Sequence, residues 1–442
     1  MHSRWQMRRI LSLRAQLTNP SVRFAIAVHT ASALAAILPL VLVARMGVER
    51  FGQLAIAQAT IATLVRICTF DTIVIATQWL GEVNAQKAGA SMSRVLVVSM
   101  VLEGIGMALY VGVCALAWSW AAEELSIDLP LWATLTAGAL SIAPMPGLLR
   151  AVLRSSQNVL VSGLLTLAPV VLKYPFACTL INRESSIEYV VLSLSIIDAV
   201  VTAAVWFPFA FGRGSQTDPN TPVNYSLSFS EIKLLVVAWT HGTIKSCTKD
   251  LDLLVLAAIS VPRELLGMYR LLKSLASIPI RLIDPITNWE LFSAATRFAK
   301  GDTTGIATEA GRRSARYALA GVIISLGMLI AGAALWGVTT VLPAWASPTV
   351  TLSMSIMLLA NALALAGLPW LSLCNAAGWR WIPLAALSVG TSFQAAVLFC
   401  GAASLGLMGA AGSLLTFYCV WFPVLKHLVN RNLIVRAATD SA

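Results

Sequence analysis

Apolar runs of about 20 residues alternate with short polar gaps along nearly the whole chain, which is the spacing of helices that cross a bilayer. The runs lie near 22–44, 53–78, 94–119, 129–149, 157–180, 188–211, 231–258, 265–293, 315–341, 348–372, 380–403 and 406–426, and they predict twelve transmembrane helices. The longest polar interruption is GRGSQTDPNTPVNYSLSFS at 212–230. Its Ser, Pro and Asn content reads as a flexible cytoplasmic connector. It divides the chain into an N-terminal six-helix lobe at 1–212, a linker at 213–230 and a C-terminal six-helix lobe at 231–442. The expected fold class is an all-α polytopic membrane protein.

The two halves resemble each other. A shift of 215 places Phe51-Gly52 on Leu266-Gly267 and Arg66 on Arg281. His29 then lands one position short of Lys245, and Asp71 two positions past Asp284. With six spans each, both halves enter the membrane in the same direction. That predicts two lobes related by a pseudo-twofold axis along the membrane normal, with a central cavity between them near the midplane. The eighth span is long, from Leu265 to about Phe298, and Pro279 and Pro285 are expected to kink it.

Composition agrees with a membrane protein. The 442 residues are 58% hydrophobic and 12% charged, against about 25% charged in a soluble domain. The formal charge of +11 would suit a nucleic-acid binder, but its distribution follows topology. With the N-terminus in the cytoplasm, that side collects Arg4, Arg8, Arg9, Arg14, Arg23, Lys87, Arg94, Arg150, Arg154 and Arg213 from the first half. It also collects Arg297, Lys300, Arg312, Arg313, Arg316, Arg380, Lys426, Arg431 and Arg436 from the second. The opposite side holds Arg45, Arg50, Arg183 and Arg263, together with the acidic loop Glu123, Glu124 and Asp128. This is the positive-inside pattern, with both termini cytoplasmic. The start, MHSRWQMRRILSLRAQ, lacks the short apolar core and small-residue cleavage site of a signal peptide, so an uncleaved first span is expected. Seven cysteines fall in or at the ends of spans without a C-x-x-C pair and read as packing residues.

Against this background the charges inside the spans stand out. His241, Lys245 and Lys249 share one helical face, and Arg270, Lys273, Arg281 and Asp284 share another. Each cation facing lipid at the bilayer centre costs about 3 kcal/mol, so these five Lys and Arg with Arg66 would cost roughly 15 kcal/mol or more. They must line protein or a water-filled path, which suits passage of an anion. Arg offers a bidentate fork to phosphate and Lys a point charge. The alternative is structural ion pairing, since Arg281 and Asp284, and Lys249 and Asp252, stand at i, i+3. Asp71, Asp250, Asp252 and Asp284 are candidates for ion coupling or gating, Glu103 and Asp198 are separate intramembrane acids, and His29 is a further candidate beside His241. Ser274, Ser277, Thr243 and Gln58 could supply a hydrated path. No P-loop, no H-E-x-x-H and no other catalytic or metal-binding constellation appears, so the chain is expected not to be an enzyme and to need no cofactor.

Three segments resemble Wzx-type polysaccharide flippases of the multidrug/oligosaccharidyl-lipid/polysaccharide (MOP) exporter superfamily. They are ARMGVERFGQLAIAQATIATLVRICTFD at 44–71, DLDLLVLAAISVPRELLGMYRLLKSLASIPIRLIDPI at 250–286 and LCNAAGWRW at 373–381. The resemblance implies a V-shaped cavity built by spans 1, 2, 7 and 8. Those spans carry His29, Arg66, His241, Lys245, Lys249, Arg270, Lys273 and Arg281, which become the expected substrate contacts. It implies a flippase in the bacterial cytoplasmic (inner) membrane that moves polyprenyl-diphosphate-linked oligosaccharide for O-antigen, capsule or exopolysaccharide assembly. H⁺ or Na⁺ would be the coupling ion, membrane lipid and polysaccharide-assembly proteins the partners, and nucleic acid is not among them. The competing readings are an ion-coupled multidrug antiporter of the same superfamily, whose cavity should be acidic and aromatic, and a membrane polymerase or ligase, which needs a large outward loop.

Overall fold

A computed structural model of the chain describes residues 20–70, 72, 76, 79–80, 92–155, 159–212, 227–283, 303–338, 348–377 and 379–440. These residues are helical apart from short turns. The first half holds α1 (Pro20–Met46), α2 (Val48–Cys68), α3 (Met92–Glu124), α4 (Leu131–Ile142), α5 (Pro146–Ser155), α6 (Val159–Thr179) and α7 (Ile187–Gly212). The second holds α8 (Phe229–Ala258), α9 (Arg263–Ala276), α10 (Thr303–Val338), α11 (Pro348–Ala377), α12 (Trp381–Leu405) and α13 (Leu407–Asp440). Every expected span overlaps one of these helices. Nine stretches among the described residues are long and apolar enough to cross a membrane, and Gly163–Thr179 is a shorter apolar one. The charged helices α8 and α9 fall outside that set: α9 has only 14 residues before the break at Ser277, and α8 carries several charged side chains that lower its hydropathy.

Interruptions follow the local chemistry. The expected fourth span is broken at 143–145, where Pro144 and Pro146 flank Met145 at φ +46° and Trp206 donates its indole N–H to the Pro144 carbonyl at 2.7 Å. Ser228 and Glu231 form a capping box at the start of α8. The Ser228 N–H donates to Glu231 Oε2 at 2.7 Å, and the Glu231 N–H donates to Ser228 Oγ at 3.3 Å. Glu231 Oε1 also accepts Trp79 Nε1 at 2.5 Å and Arg94 Nη2 at 3.0 Å, so the first turn of α8 is tied to Trp79 and to α3.

The expected kink at Pro279 is present. Helix α9 ends at Ala276, Ser277 forms a turn, and helical structure resumes over 278–283; Pro285 lies outside the described residues. Proline removes an intrahelical N–H and crowds the preceding turn, and in a membrane the freed carbonyls need other donors. Buried Asn361 on α11 donates Nδ2 to the Ala276 carbonyl at 2.7 Å, and Ser277 Oγ donates to the Ser274 carbonyl at 2.6 Å.

Two compact units make up the chain. One comprises Met1–Leu38, Leu64–Ser119 and Leu129–Trp239; the other comprises Pro39–Thr63, Trp120–Asp128 and Thr240–Ala442. These units group residues by proximity and do not decide where the six-helix lobes of the sequence reading begin and end. In the first unit Trp79, Leu80, Val95, Val98, Leu148 and Leu235 form a core. In the second, Ile56, Leu253, Leu256, Leu266, Tyr269 and Leu272 pack with Met357, Leu398 and Leu414.

Within the second unit the repeated glycines meet. A Cβ on Gly52 would collide with the Arg263 carbonyl oxygen and lie 2.9 Å from the Gly267 nitrogen. A Cβ on Gly267 would collide with the Val48 carbonyl oxygen and lie 3.0 Å from the Gly52 nitrogen. Under the shift of 215, Val48 corresponds to Arg263 and Gly52 to Gly267, so each contact is the image of the other. Such reciprocity is the mark of a two-fold-related pair, and it supports the repeat register read from the sequence. Small residues let the backbones approach this closely. Gly401 and Gly409 do the same between α12 and α13.

Gly52→Ala and Gly267→Ala should therefore each lower the thermal midpoint of the purified protein, by an overpacking cost of about 1–3 kcal/mol. Gly104→Ala serves as the control, because its Cβ meets nothing within 4 Å. Wild-type midpoints for the first two variants would contradict the contact.

Candidate functional site

The sequence-predicted residues on α8 and α9 converge inside the second unit. Asp252 is fully enclosed, with 0% of its side chain exposed. It accepts Tyr269 Oη at 2.5 Å, Lys273 Nζ at 2.6 Å on Oδ2 and 2.7 Å on Oδ1, and its neighbour Leu253 N–H at 2.8 Å. Tyr269 and Lys273 are one turn apart on α9, so a single helical face delivers both donors to one carboxylate. Lys273 Nζ also donates to the Lys249 carbonyl and lies 6.0 Å from the centre of the Tyr269 ring. Beside this knot Arg270 Nη1 bonds Asp250 Oδ1 at 2.8 Å, with Asp250 4% exposed.

These pairings rearrange the ion-pair scheme suggested by spacing. Lys249 and Asp252 stand at i, i+3, yet Asp252 takes its cation from α9. Two intramembrane acids, each with its own cation from a neighbouring helix, make the cluster more rigid than pairs along one helix would. Asp250 and Asp252 are thus both engaged. Two cations of the cluster, Lys249 and Arg281, make no salt bridge with a described residue. Lys249 is exposed and lies within electrostatic reach of Asp250, Arg270, Arg281 and Lys273. Arg281 sits just past the Pro279 break, donates Nε to Ser277 Oγ at 2.9 Å and feels the charge of Arg270. The break thus supplies both the turn and the hydroxyl that aim the guanidinium.

The other predicted residues are placed as follows. Lys245, one turn before Lys249 on α8, is exposed, and His241, a further turn back, is half-buried and engaged by its surroundings. Arg66, in the last turn of α2, is half-buried and also engaged, and His29 on α1 is half-buried. Arg66 and His29 belong to the first unit, and the α8–α9 cluster to the second. Asp71 and Asp284 lie outside the described residues. Glu103 accepts a hydrogen bond from Thr72 at 2.6 Å, and Asp198 pairs with Lys173 at 2.7 Å. Tyr269, within the segment 250–286, is not among the sequence-predicted site residues. Its signal was the i, i+4 spacing to Lys273, which an isolated acid on a facing helix turns into a three-group network. Among the described residues no cluster of His, Cys, Asp or Glu could hold a metal ion, and Cys68, Cys114, Cys178, Cys374, Cys400 and Cys419 are free thiols.

No protein-family profile and no curated protein matches the chain. Solved structures do. The inward-facing conformation of a multidrug resistance MATE family transporter of the MOP superfamily superimposes with a TM-score of 0.65 at 11% identity, covering 96% of this chain and 98% of that one. The outward-facing conformation of such a transporter gives 0.58 at 12% identity, covering 96% of each chain. The Vibrio cholerae MATE transporter VcmN in its bent form gives 0.57 at 15% identity, covering 94% of this chain and 99% of that one. At these identities the likeness shows the fold. It is the all-α MATE fold of twelve transmembrane helices in two lobes, and with the apolar helices it makes this chain a multi-pass membrane protein.

Removing one side of the buried pair should be far more harmful than removing both. Asp252→Asn and Lys273→Met each strand a charge and should cost about 3–5 kcal/mol, while the double variant should recover most of the loss. Folded yield after detergent extraction reads this directly. Single variants that accumulate like wild type would show that the pair does not hold α8 to α9.

Proposed function

We propose that the chain is a flippase that carries a polyprenyl-diphosphate-linked oligosaccharide across the bacterial cytoplasmic membrane for O-antigen, capsule or exopolysaccharide assembly. The observation that carries this reading is the charge balance of the α8–α9 cluster. Four cations, Lys249, Arg270, Lys273 and Arg281, face two acids, Asp250 and Asp252, and both acids are spent on Arg270 and Lys273. Among the described residues Lys249 and Arg281 remain as a positive surplus, which suits a phosphate through charge-assisted hydrogen bonds. Arg281 presents the fork and Lys249 the point charge. The paired residues hold these two in place and themselves bind little.

In this reading the anionic headgroup engages Lys249 and Arg281. Lys245 and His241 extend the same α8 face, and Arg66 is the repeat counterpart of Arg281. The lipid tail stays in the bilayer, and the two six-helix lobes, 1–212 and 231–442, alternate in access about the linker. An ion gradient or the membrane potential drives the cycle. Asp71 and Asp284 are proposed as gating acids. The fold's solved neighbours are described as multidrug resistance transporters. An exporter of cationic drugs needs surplus acid at its centre, whereas among the described residues of the α8–α9 cluster the surplus is basic, which favours the flippase over the antiporter. Transport, rather than polymerisation or ligation, also agrees with outward connections as short as Leu125–Pro130 and Leu180–Ser186.

In a strain deleted for the gene, complementation by Lys249→Ala or Arg281→Ala should give protein at wild-type abundance with polymer reduced at least about tenfold, the effect of losing one charge-assisted contact of about 1.5–3 kcal/mol. Lipid-linked oligosaccharide should accumulate in step. Normal polymer in both variants would remove the anion site. A deletion that accumulates no lipid-linked intermediate but sensitises cells to cationic drugs would favour the antiporter.

A further inference from the structure

The first unit contains an intramembrane ion pair that the cationic cluster does not use. Lys173 on α6 donates Nζ to Asp198 Oδ2 on α7 at 2.7 Å. Asp198 sits near the middle of an apolar helix with 52% of its side chain exposed, while Lys173 is 17% exposed. A half-exposed carboxylate at that depth either faces lipid or faces an opening inside the protein, and the helix register decides between them.

On α7 the exposed apolar side chains Tyr189, Ile196 and Val200 mark the lipid side. Asp198 is two residues from both Ile196 and Val200, which at about 100° per residue puts it on the far side of the helix. It shares its face with buried Val191, Leu194 and Thr202, at i−7, i−4 and i+4. On α6 exposed Leu164 and Val171 mark the lipid side, and Lys173 is turned about half a revolution from each. One turn further on, Ala177 is fully buried on the Lys173 face. Both members of the pair therefore point away from the lipid-marked faces, and the exposed part of Asp198 is read as bordering an opening inside the first unit. Tyr174, next to Lys173, is fixed by donating its hydroxyl to the Leu34 carbonyl on α1 at 2.5 Å, so this part of α6 is braced.

The chemistry of the opening differs from that of the α8–α9 cluster. The pair is neutral overall, so a small ion of either sign has no net charge to pair with and would have to break a short bridge to bind. Asp198 Oδ2 is occupied by the ammonium and Oδ1 is left to accept hydrogens. A neutral ligand rich in hydroxyl groups can donate to that oxygen and accept from the ammonium without separating the two. We propose that Lys173 and Asp198 form a binding station for the uncharged sugar portion of the cargo, distinct from the residues that take its anionic headgroup. This assignment rests on the reading of the cargo as a glycan-bearing lipid.

The test is saturation-transfer NMR on the purified full chain in detergent, with maltotriose and triacetylchitotriose at millimolar concentration as probes. Wild type should transfer signal to at least one of them, and an excess of inorganic diphosphate should leave it in place. Asp198→Asn should weaken the transfer several-fold, because an amide keeps the shape but loses the charged acceptor. Asp198→Leu with Lys173→Met removes both polar groups without stranding a charge, so it should fold and give no transfer. Lys249→Ala should transfer like wild type. Absence of transfer in wild type, or transfer that survives in the folded double variant, overturns the proposal. Sugar transfer that depends on Asp198, in a protein whose Lys249→Ala and Arg281→Ala variants support normal polymer, leaves this site standing while the headgroup reading falls.

Discussion

A carboxylate closed off from water inside apolar helices must bring its cation with it, and in this protein Asp252 imposes that condition on the helices around it. Tyr269 and Lys273 both reach it from α9, which fixes the rotation of α9 about its own axis. Once that rotation is set, Leu266 and Leu272 fall into the core against Leu253 and Leu256. Gly267, two residues from Tyr269, is turned to the other side, where only a glycine can meet the backbone of α2. Helix α9 is thus gripped by charge on one side and by backbone contact on the other. Its C-terminal end, relieved by Asn361 at the Pro279 break, is where Arg281 is displayed.

The two grips have different histories in the sequence. The glycine contact is symmetric under the repeat, with Gly52 and Gly267 exchanging roles, and Arg66 corresponds to Arg281. The charge knot is not. At the positions equivalent to Asp250, Asp252, Arg270 and Lys273 the first half has Ala35, Ile37, Ala55 and Gln58. The close approach is shared by both halves, while the charges of the knot stand in the second half alone. The first half carries instead the neutral pair Lys173–Asp198.

Much of the architecture could be read before any coordinates. Lipid cannot hydrogen-bond a backbone, so an apolar run of about 20 residues is read as a helix that satisfies its own backbone, and each run read this way overlaps a helix of the structure. The kink at Pro279 was legible for the same reason, since a missing N–H acts locally. The repeat register was legible through Phe51-Gly52 and Leu266-Gly267, although a glycine in a sequence does not say what it touches. The break at Met145 lies within the expected fourth span, whose continuous apolar run outweighed the Pro144-Met145-Pro146 signal that marks the turn.

The sequence by itself determined that charges lay inside spans and therefore had to be sheltered, because the cost of exposing them to lipid depends only on depth. It could not decide which were partners. Spacing along one helix offered Lys249 to Asp252, whereas the folded protein gives Asp252 to Lys273 and Tyr269 and leaves Lys249 exposed. Pairing of buried charges is settled by the approach of a second helix, which is long-range information. For the same reason Asp198 read only as one more intramembrane acid. Its partner is 25 residues away on another helix, and its exposure on a protein-facing side exists only once α6 and α7 are packed.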